Sequence, residues 1–272
     1  MSRIGILTAF EPEWAALHDV LTDVNTLNIK GIAAATGRFE DRDAVVMMCG
    51  MSMVNAAMTA QMMIDRFAPA CLLMSGIAGS VDPALNIGDV VVPERWAQSL
   101  EVIMGREAEG GFAAPDWLTW KADLPGFGMM LPNRVVVGTS APKLWFDVDP
   151  GLFAVAAAME GIALRDHADD GRRLHRVPQV HAGGHAVSGS AFVDNAAYRD
   201  YLARAFGARI ADMESAAVAH VAFANDVPFL ALRSVSDLAG AGGDSNEMTV
   251  FMRLAAENST RVLARFVRAL TA

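Results

Sequence analysis

Short apolar runs alternate with longer stretches in which apolar residues recur every three or four positions. The first run, Ile4-Gly5-Ile6-Leu7, reads as a buried strand. It leads through Phe10-Glu11-Pro12-Glu13 into a helix; Pro12 suits the first turn, and apolar positions carry the helix through Leu17 and Val20. Residues 29–48 read as a pair of strands around Gly37-Arg38-Phe39-Glu40. A glycine turn at Cys49-Gly50-Met51-Ser52 then feeds a helix through Met62-Met63-Ile64, whose methionines read as core filler. Strands are predicted at 69–74, 86–93, 180–187 and 228–237, and helices at 194–206, 215–225 and 246–271. This alternation predicts an α/β fold: a three-layer α/β/α domain around a mixed, twisted central sheet. Residues 100–180 break the pattern with Pro, Gly, Trp and a polar stretch at 166–173. They read as a long insertion with one helix, from Pro150 to Gly161, capped by Asp149. No repeat and no persuasive linker interrupts residues 1–272, so a single domain is expected.

Composition narrows the functional classes. The 272 residues suffice for a large core. At 53% hydrophobic and 19% charged the chain is apolar, yet no uninterrupted apolar run is long enough to span a bilayer. The N-terminal apolar run meets Glu11 at once and is too short for a secretory signal, so a cytoplasmic location is expected, with no membrane partner. Cys49 and Cys71 each sit beside an apolar run and read as buried free thiols; no zinc spacing exists, and neither a metal nor a cofactor is expected. A net charge of −9, with no basic cluster beyond Arg172, Arg173 and Arg176, argues against nucleic acid.

Three stretches carry candidate chemistry. In Ile210-Ala211-Asp212-Met213-Glu214-Ser215, two carboxylates stand two residues apart where an extended run meets a small-residue helix. Alternation in an extended segment points both the same way, where they could accept hydrogen bonds from a pair of ribose hydroxyls. An acidic, solvated first helical turn is the competing reading. Glu11 and Glu13 lie at the C-terminal end of the first strand, the edge at which open α/β sheets collect ligands; they are either a general acid or base, or an ordinary acidic helix turn. Ser75-Gly76-Ile77-Ala78-Gly79-Ser80 reads as a small-residue loop that would let a ligand approach backbone N–H groups, or as a plain tight turn. Phe192, after Ser188-Gly189-Ser190, could stack on a flat base or pack in the core.

Taken in order, Phe10-Glu11-Pro12-Glu13, Ser75–Ser80, Ser188–Val193 and Asp212-Met213-Glu214 with Ser236-Asp237 resemble the nucleoside phosphorylase and nucleosidase superfamily. The N-terminal part looks like methylthioadenosine/S-adenosylhomocysteine nucleosidases. The C-terminal part, from Phe192-Val193-Asp194-Asn195 to Ser236-Asp237-Leu238, and Trp145–Pro150 look like the plant bark and vegetative storage proteins of the same superfamily. The resemblance implies cleavage of a purine nucleoside at its N-glycosidic bond, which makes the sugar oxocarbenium-like and the base electron-rich. Asp237 would then serve purine N7 as a protonated donor, through a raised pKa or a proton relay. Glu13 would orient or deprotonate the attacking water. Glu214 would accept from the ribose hydroxyls, with Asp212 in support, and Met213 would pack on the sugar. Phe192 would stack on the base, Val193 would offer backbone atoms to its edge, and Phe10, Ile77, Ala78 and Gly79 would complete the substrate site. The superfamily also implies a homodimer or higher homo-oligomer.

Two departures bear on the acceptor. The nucleosidases carry a Ser where this chain has Ile77, leaving Ser75 and Ser80 as the hydroxyls that could stand in. The bacterial phosphorylases bind phosphate with Gly and Arg near the N-terminus, whereas this chain has Glu11 and Glu13, which would repel a phosphate dianion. Water is therefore the expected acceptor. The alternatives are phosphorolysis, with Arg38, Arg95 or a neighbouring subunit's arginine holding phosphate, and a nucleoside-binding or storage protein with reduced activity.

Overall fold

The computed structural model describes residues 3–120, 123–159, 161–241 and 246–270. The first strand, β1 (Ile4–Thr8), is buried throughout and runs into α1 (Glu11–His18). An antiparallel meander follows: β2 (Thr22–Ile29), β3 (Ile32–Phe39) and β4 (Arg42–Met48). The apolar pattern predicts only two of these three strands, because β2 is exposed along nearly its whole length and has almost no apolar face. Next come α2 (Met53–Phe67), β5 (Leu72–Ser80), β6 (Val90–Val92) and β7 (Arg95–Gln98).

The irregular region holds β8 (Val102–Met104), β9 (Arg106–Ala108), β10 (Gly111–Ala113) and β11 (Met130–Pro132), paired off the main sheet as β9 with β10 and β8 with β11. It also holds β12 (Trp145–Asp147) and α3 (Pro150–Ala157). Asp149 caps α3 by accepting from the Leu152 N–H at 2.9 Å, and the helix stops short of Gly161. β12 pairs with β7, and Phe146 is buried in the core, so this part of the 100–180 stretch belongs to the main sheet. The chain closes with β13 (Val180–Ala182), β14 (His185–Ser188), α4 (Ala196–Phe206), β15 (Ala208–Asp212), α5 (Ser215–Ala224), β16 (Phe229–Asp237) and α6 (Met248–Ala269).

Among the described residues, twelve strands form one mixed sheet, ordered β12-β7-β14-β15-β5-β1-β4-β3-β2, with β16 beside β5, β6 beside β16 and β13 beside β6. Helices α2 and α5 pack together on one face; α6 lies along β16 and β5 on the other, with α1 and α3 against it. This is the α/β/α layering the sequence predicts.

β5 changes partners along its length. Leu72–Met74 pair in parallel with β1, Gly79 and Ser80 pair antiparallel with β15, and β16 follows β5 from Leu72 to Gly79. Between its pairings with β1 and β15 the sheet opens. The expected Ser75–Ser80 loop is therefore the second half of a strand. Its glycines serve close approach rather than a turn: neither Gly76 nor Gly79 has a positive φ.

Candidate active site

The opening beside β5 is where the carboxylates gather. With no strand carbonyl beside it there, the Ile77 N–H donates to Glu13 Oε1 at 2.8 Å. Glu13, the third residue of α1, also reaches back to accept from the Ala9 N–H through Oε2 at 2.6 Å. This resembles half of a capping box, and it supplies an anchor where Phe10, the N-cap, makes no side-chain bond. Gly76 makes the approach possible, since a Cβ there would lie 2.2 Å from both Glu13 Oε1 and Arg233 Nη1.

Arg233, in the middle of fully buried β16, ties the site together. Its guanidinium lies 2.7 Å from Asp212, 3.3 Å from Glu214 and 3.5 Å from Glu13, and it donates to Ser215 Oγ at 3.0 Å. All four charged side chains are buried. The solvated-turn reading of Asp212 and Glu214 is thus overturned, and the two have different tasks. Asp212 caps α5, accepting from the Ser215 N–H and the hydroxyls of Ser215 and Ser188. Glu214 makes no cap bond; it accepts from the Ser52 N–H at 2.8 Å and from Arg233.

Three carboxylates facing one guanidinium leave the cluster short of positive charge. Burial pushes the Glu13 carboxyl above its ordinary range, against the pull of Arg233 and its backbone donors. Burial, with Asp212 and Glu13 nearby, pushes Glu214 up to about 7, again against Arg233.

Asp237 ends β16. A bulge between Val235 and Asp237 shifts the register so that Asp237 pairs with Gly79, re-aiming the strand end. Its Oδ1 accepts from the Ala239 N–H at 2.9 Å, and Ser236 Oγ donates to Oδ2 at 2.9 Å. Asn246 Nδ2 lies 3.4 Å from Oδ1.

A cavity of about 260 Å³ joins these groups. Glu13, Glu214 and Asp237 line it, with Phe10, Ile77, Ala78, Gly79, Phe192, Val193 and Met213, so the structure brings these ten residues together. Asp212, Ser236, Met51 and Met248 line it too. Phe192 is 53% exposed, which rules out core packing and places it at the mouth. Glu11, the rival of Glu13, is exposed and outside the cavity. Neither expected hydroxyl substitute reaches it: Ser75 Oγ bonds Ser259 Oγ on α6 at 2.7 Å, and Ser80 Oγ donates to the Asp82 carbonyl at 2.8 Å. Arg38 and Arg95 do not line it; they bond the Asp41 carbonyl and His185. Among the described residues, no group of three or more His, Cys, Asp or Glu is placed to hold a metal ion.

Sequence reasoning passes over Arg233. The signal was present: an arginine directly after the apolar run Phe229–Leu232 must find carboxylate partners if the strand stays buried past it.

The phosphorylase superfamily model matches residues 3–268. The chain belongs to the phosphorylase superfamily. It is 28% identical over 272 residues to the 5′-methylthioadenosine/S-adenosylhomocysteine nucleosidase of Mycobacterium tuberculosis, covering 99% of this chain and 98% of that protein. The Neisseria meningitidis nucleosidase of the same name, solved with methylthio-immucillin-A, superposes with a TM-score of 0.73 at 24% identity, over 98% of this chain and 99% of that one. Futalosine hydrolase of Helicobacter pylori superposes with a TM-score of 0.72 at 24% identity, over 98% and 97% of the two chains. At these identities the structural matches speak to the fold. No described helix of this superfamily member is long and apolar enough to cross a membrane.

Proposed function

We propose that this protein hydrolyses the N-glycosidic bond of an adenosine-type purine nucleoside, with a 5′-thio substituent, releasing the free base and the ribose moiety. The observation that carries the reading is the convergence of Glu13, Glu214 and Asp237 on one cavity that no lysine or arginine lines among the described residues. As the C1′–N9 bond breaks, its electron pair passes to the base and positive charge develops on the sugar. Asp237 delivers a proton to N7, with the Ser236 hydroxyl beside its carboxyl. Glu214 accepts from the ribose hydroxyls, and the surplus of carboxylates over Arg233 favours the sugar cation. Water adds to C1′ and gives a proton to Glu13. Phe192 at the mouth stacks on the base, Val193 offers backbone atoms to its edge, and Met213 covers the sugar. Phe10, Ile77, Met51 and Met248 give an apolar wall suited to a thioether.

Water is favoured over phosphate because the one cation of the cluster, Arg233, is already shared by three carboxylates. Relatives named as nucleosidases support the reaction class. We place the reaction in the cytoplasm, in keeping with two buried free cysteines. The active form is a homodimer, in keeping with an exposed apolar face beside the mouth: Met51 at 60%, Val54 at 78% and Met58 at 49% exposure. The test is base release from adenosine, inosine, methylthioadenosine and S-adenosylhomocysteine, with and without phosphate. Phosphate-independent release from the thio-nucleosides is expected. Release only with phosphate would make the protein a phosphorylase, and no release from any nucleoside would favour a binding protein.

A further inference from the structure

Ser52, just before α2, has φ 82° and ψ 160°. That conformation belongs almost exclusively to glycine, so an L-residue there is strained and persists only if its surroundings hold it. Two bonds do so. The Ser52 N–H donates to Glu214 Oε1 at 2.8 Å, and Ser52 Oγ donates to Ser190 Oγ at 3.0 Å. The hydroxyl is not spent on the helix, since it makes no cap bond to α2. Neither serine lines the cavity, but their chain neighbours Met51, Ala191 and Phe192 do. The Ser190 segment is fixed at its root, where Ser188 Oγ donates to Asp212 and the Gly189 N–H donates to the Asp212 carbonyl. At its tip, the Ser52 hydroxyl ties it across to the start of α2.

We propose that Ser52 is a positioning residue: its strained backbone aims an N–H at Glu214, and its hydroxyl sets the span between the Glu214 wall and the Phe192 wall. The proposal rests on the reading of Glu214 as the ribose-binding carboxylate. It makes a distinction between two small substitutions. Ser52→Gly removes the hydroxyl but leaves a residue at ease in this conformation, so the N–H stays on Glu214. Ser52→Ala removes the hydroxyl and keeps the strain, so the backbone relaxes and the N–H leaves.

The test is steady-state kinetics on methylthioadenosine, with thermal unfolding alongside. Ser52→Gly and Ser190→Ala should each raise KM roughly threefold to tenfold, the loss of one hydrogen bond, with kcat within about twofold. The double variant Ser52→Gly/Ser190→Ala should be no worse than either alone, because both remove the same bond. Ser52→Ala should lose a further factor on the order of tenfold, in kcat, through the displaced carboxylate. A second readout needs no turnover. In 15N-serine-labelled protein the Ser52 amide resonance, identified by its absence from Ser52→Gly, should move as Glu214 ionises and stay still in Glu214→Gln. Wild-type kinetics for Ser52→Ala, additive losses for Ser52→Gly and Ser190→Ala, or an amide indifferent to Glu214 would each overturn the proposal. If the wild type released no base from any nucleoside, the functional reading would fail by itself. The amide titration and the same double-variant cycle in Tm would still decide whether Ser52 links Glu214 to Ser190.

Discussion

Glu11 and Glu13 stand two residues apart in the first turn of α1, and only Glu13 is buried. Two positions on a helix are just over a half-turn apart, so one carboxylate faces the cavity and the other water. The chemistry turns on such choices of face. Glu214 holds its proton to about pH 7 because it is buried beside Asp212 and Glu13, while Arg233 pulls the other way. In the unfolded chain the same group ionises near its ordinary 4.5. Between these values the folded state binds more protons than the unfolded state, so this group's contribution to stability is full below pH 4.5 and is lost as the pH rises to about 7. Tm should fall across that window, and Glu214→Gln should flatten the fall. Activity should run the other way, since only ionised Glu214 favours the sugar cation: kcat/KM rises toward neutrality, and Glu214→Gln loses on the order of 10²-fold or more above about pH 7, a deficit that shrinks as the pH falls and the wild-type carboxyl takes up its proton. Near wild-type turnover in that variant would remove Glu214 from the mechanism. Asp237 and Glu13 separate by leaving group. Asp237→Asn should cripple natural purine nucleosides and spare a nitrophenyl riboside, whose leaving group needs no proton. Glu13→Gln should harm both, because each needs water. Equal losses for Asp237→Asn on the two substrates would refute its role as the acid.

At the scale of elements, β5 decides where a site can exist. Its glycines make room: a Cβ on Gly76 would meet Glu13 and Arg233 at 2.2 Å, whereas one on Gly79 would sit 3.1 Å from Asp237 Oδ1. Gly76→Ala should therefore force the buried pair apart. We expect Tm to fall by several degrees, in line with about 1–3 kcal/mol for overpacking, and turnover to fall on the order of 10²-fold. Gly79→Ala should cost little stability and act mainly on leaving groups that need a proton. Thermal unfolding and kcat for the two variants check this; a fully active, stable Gly76→Ala would mean that Glu13 need not sit where it does. This is also where legibility in the sequence divides. Buried strands such as β1 and β16 announce themselves by the apolar runs Ile4–Leu7 and Phe229–Leu232, and Asp149 announces α3 as a cap. β2 does not, because an exposed strand has no apolar face to show. Ser75–Ser80 misleads because glycine signals a turn by habit, and its use for close approach depends on a glutamate more than sixty residues away in the chain. Arg233 is silent until its partners are known to share a cavity. The residues that line the cavity were legible through the order of four short segments; their different bonding, with Asp212 capping a helix and Glu214 held by the Ser52 N–H and Arg233, follows from packing.

At the scale of the whole molecule, the cavity opens beside an unpartnered face. Val54 and Met58 lie four residues apart on α2, so they share one side of the helix, and Met51, two residues before the helix, lines the cavity. Their exposures, 78%, 49% and 60%, make a patch of large apolar side chains beside the mouth. Covering it with a second copy would bury these side chains and wall off the open end of the site, so that sugar cation formation proceeds away from bulk water. In a two-fold arrangement each copy would do this for the other. Light scattering on the purified protein should then give twice the 28.9 kDa chain mass at micromolar concentration. Val54→Glu and Met58→Glu point outward in the monomer and should leave its fold and secondary structure intact. Each should nonetheless shift the protein toward monomer. Each should also raise KM for the 5′-thio nucleoside more than for adenosine, because the open end of the cavity is where a long substituent would emerge. A monomeric wild type with full activity would sink the dimer. Monomeric variants with unchanged KM would leave the association standing and separate it from the site.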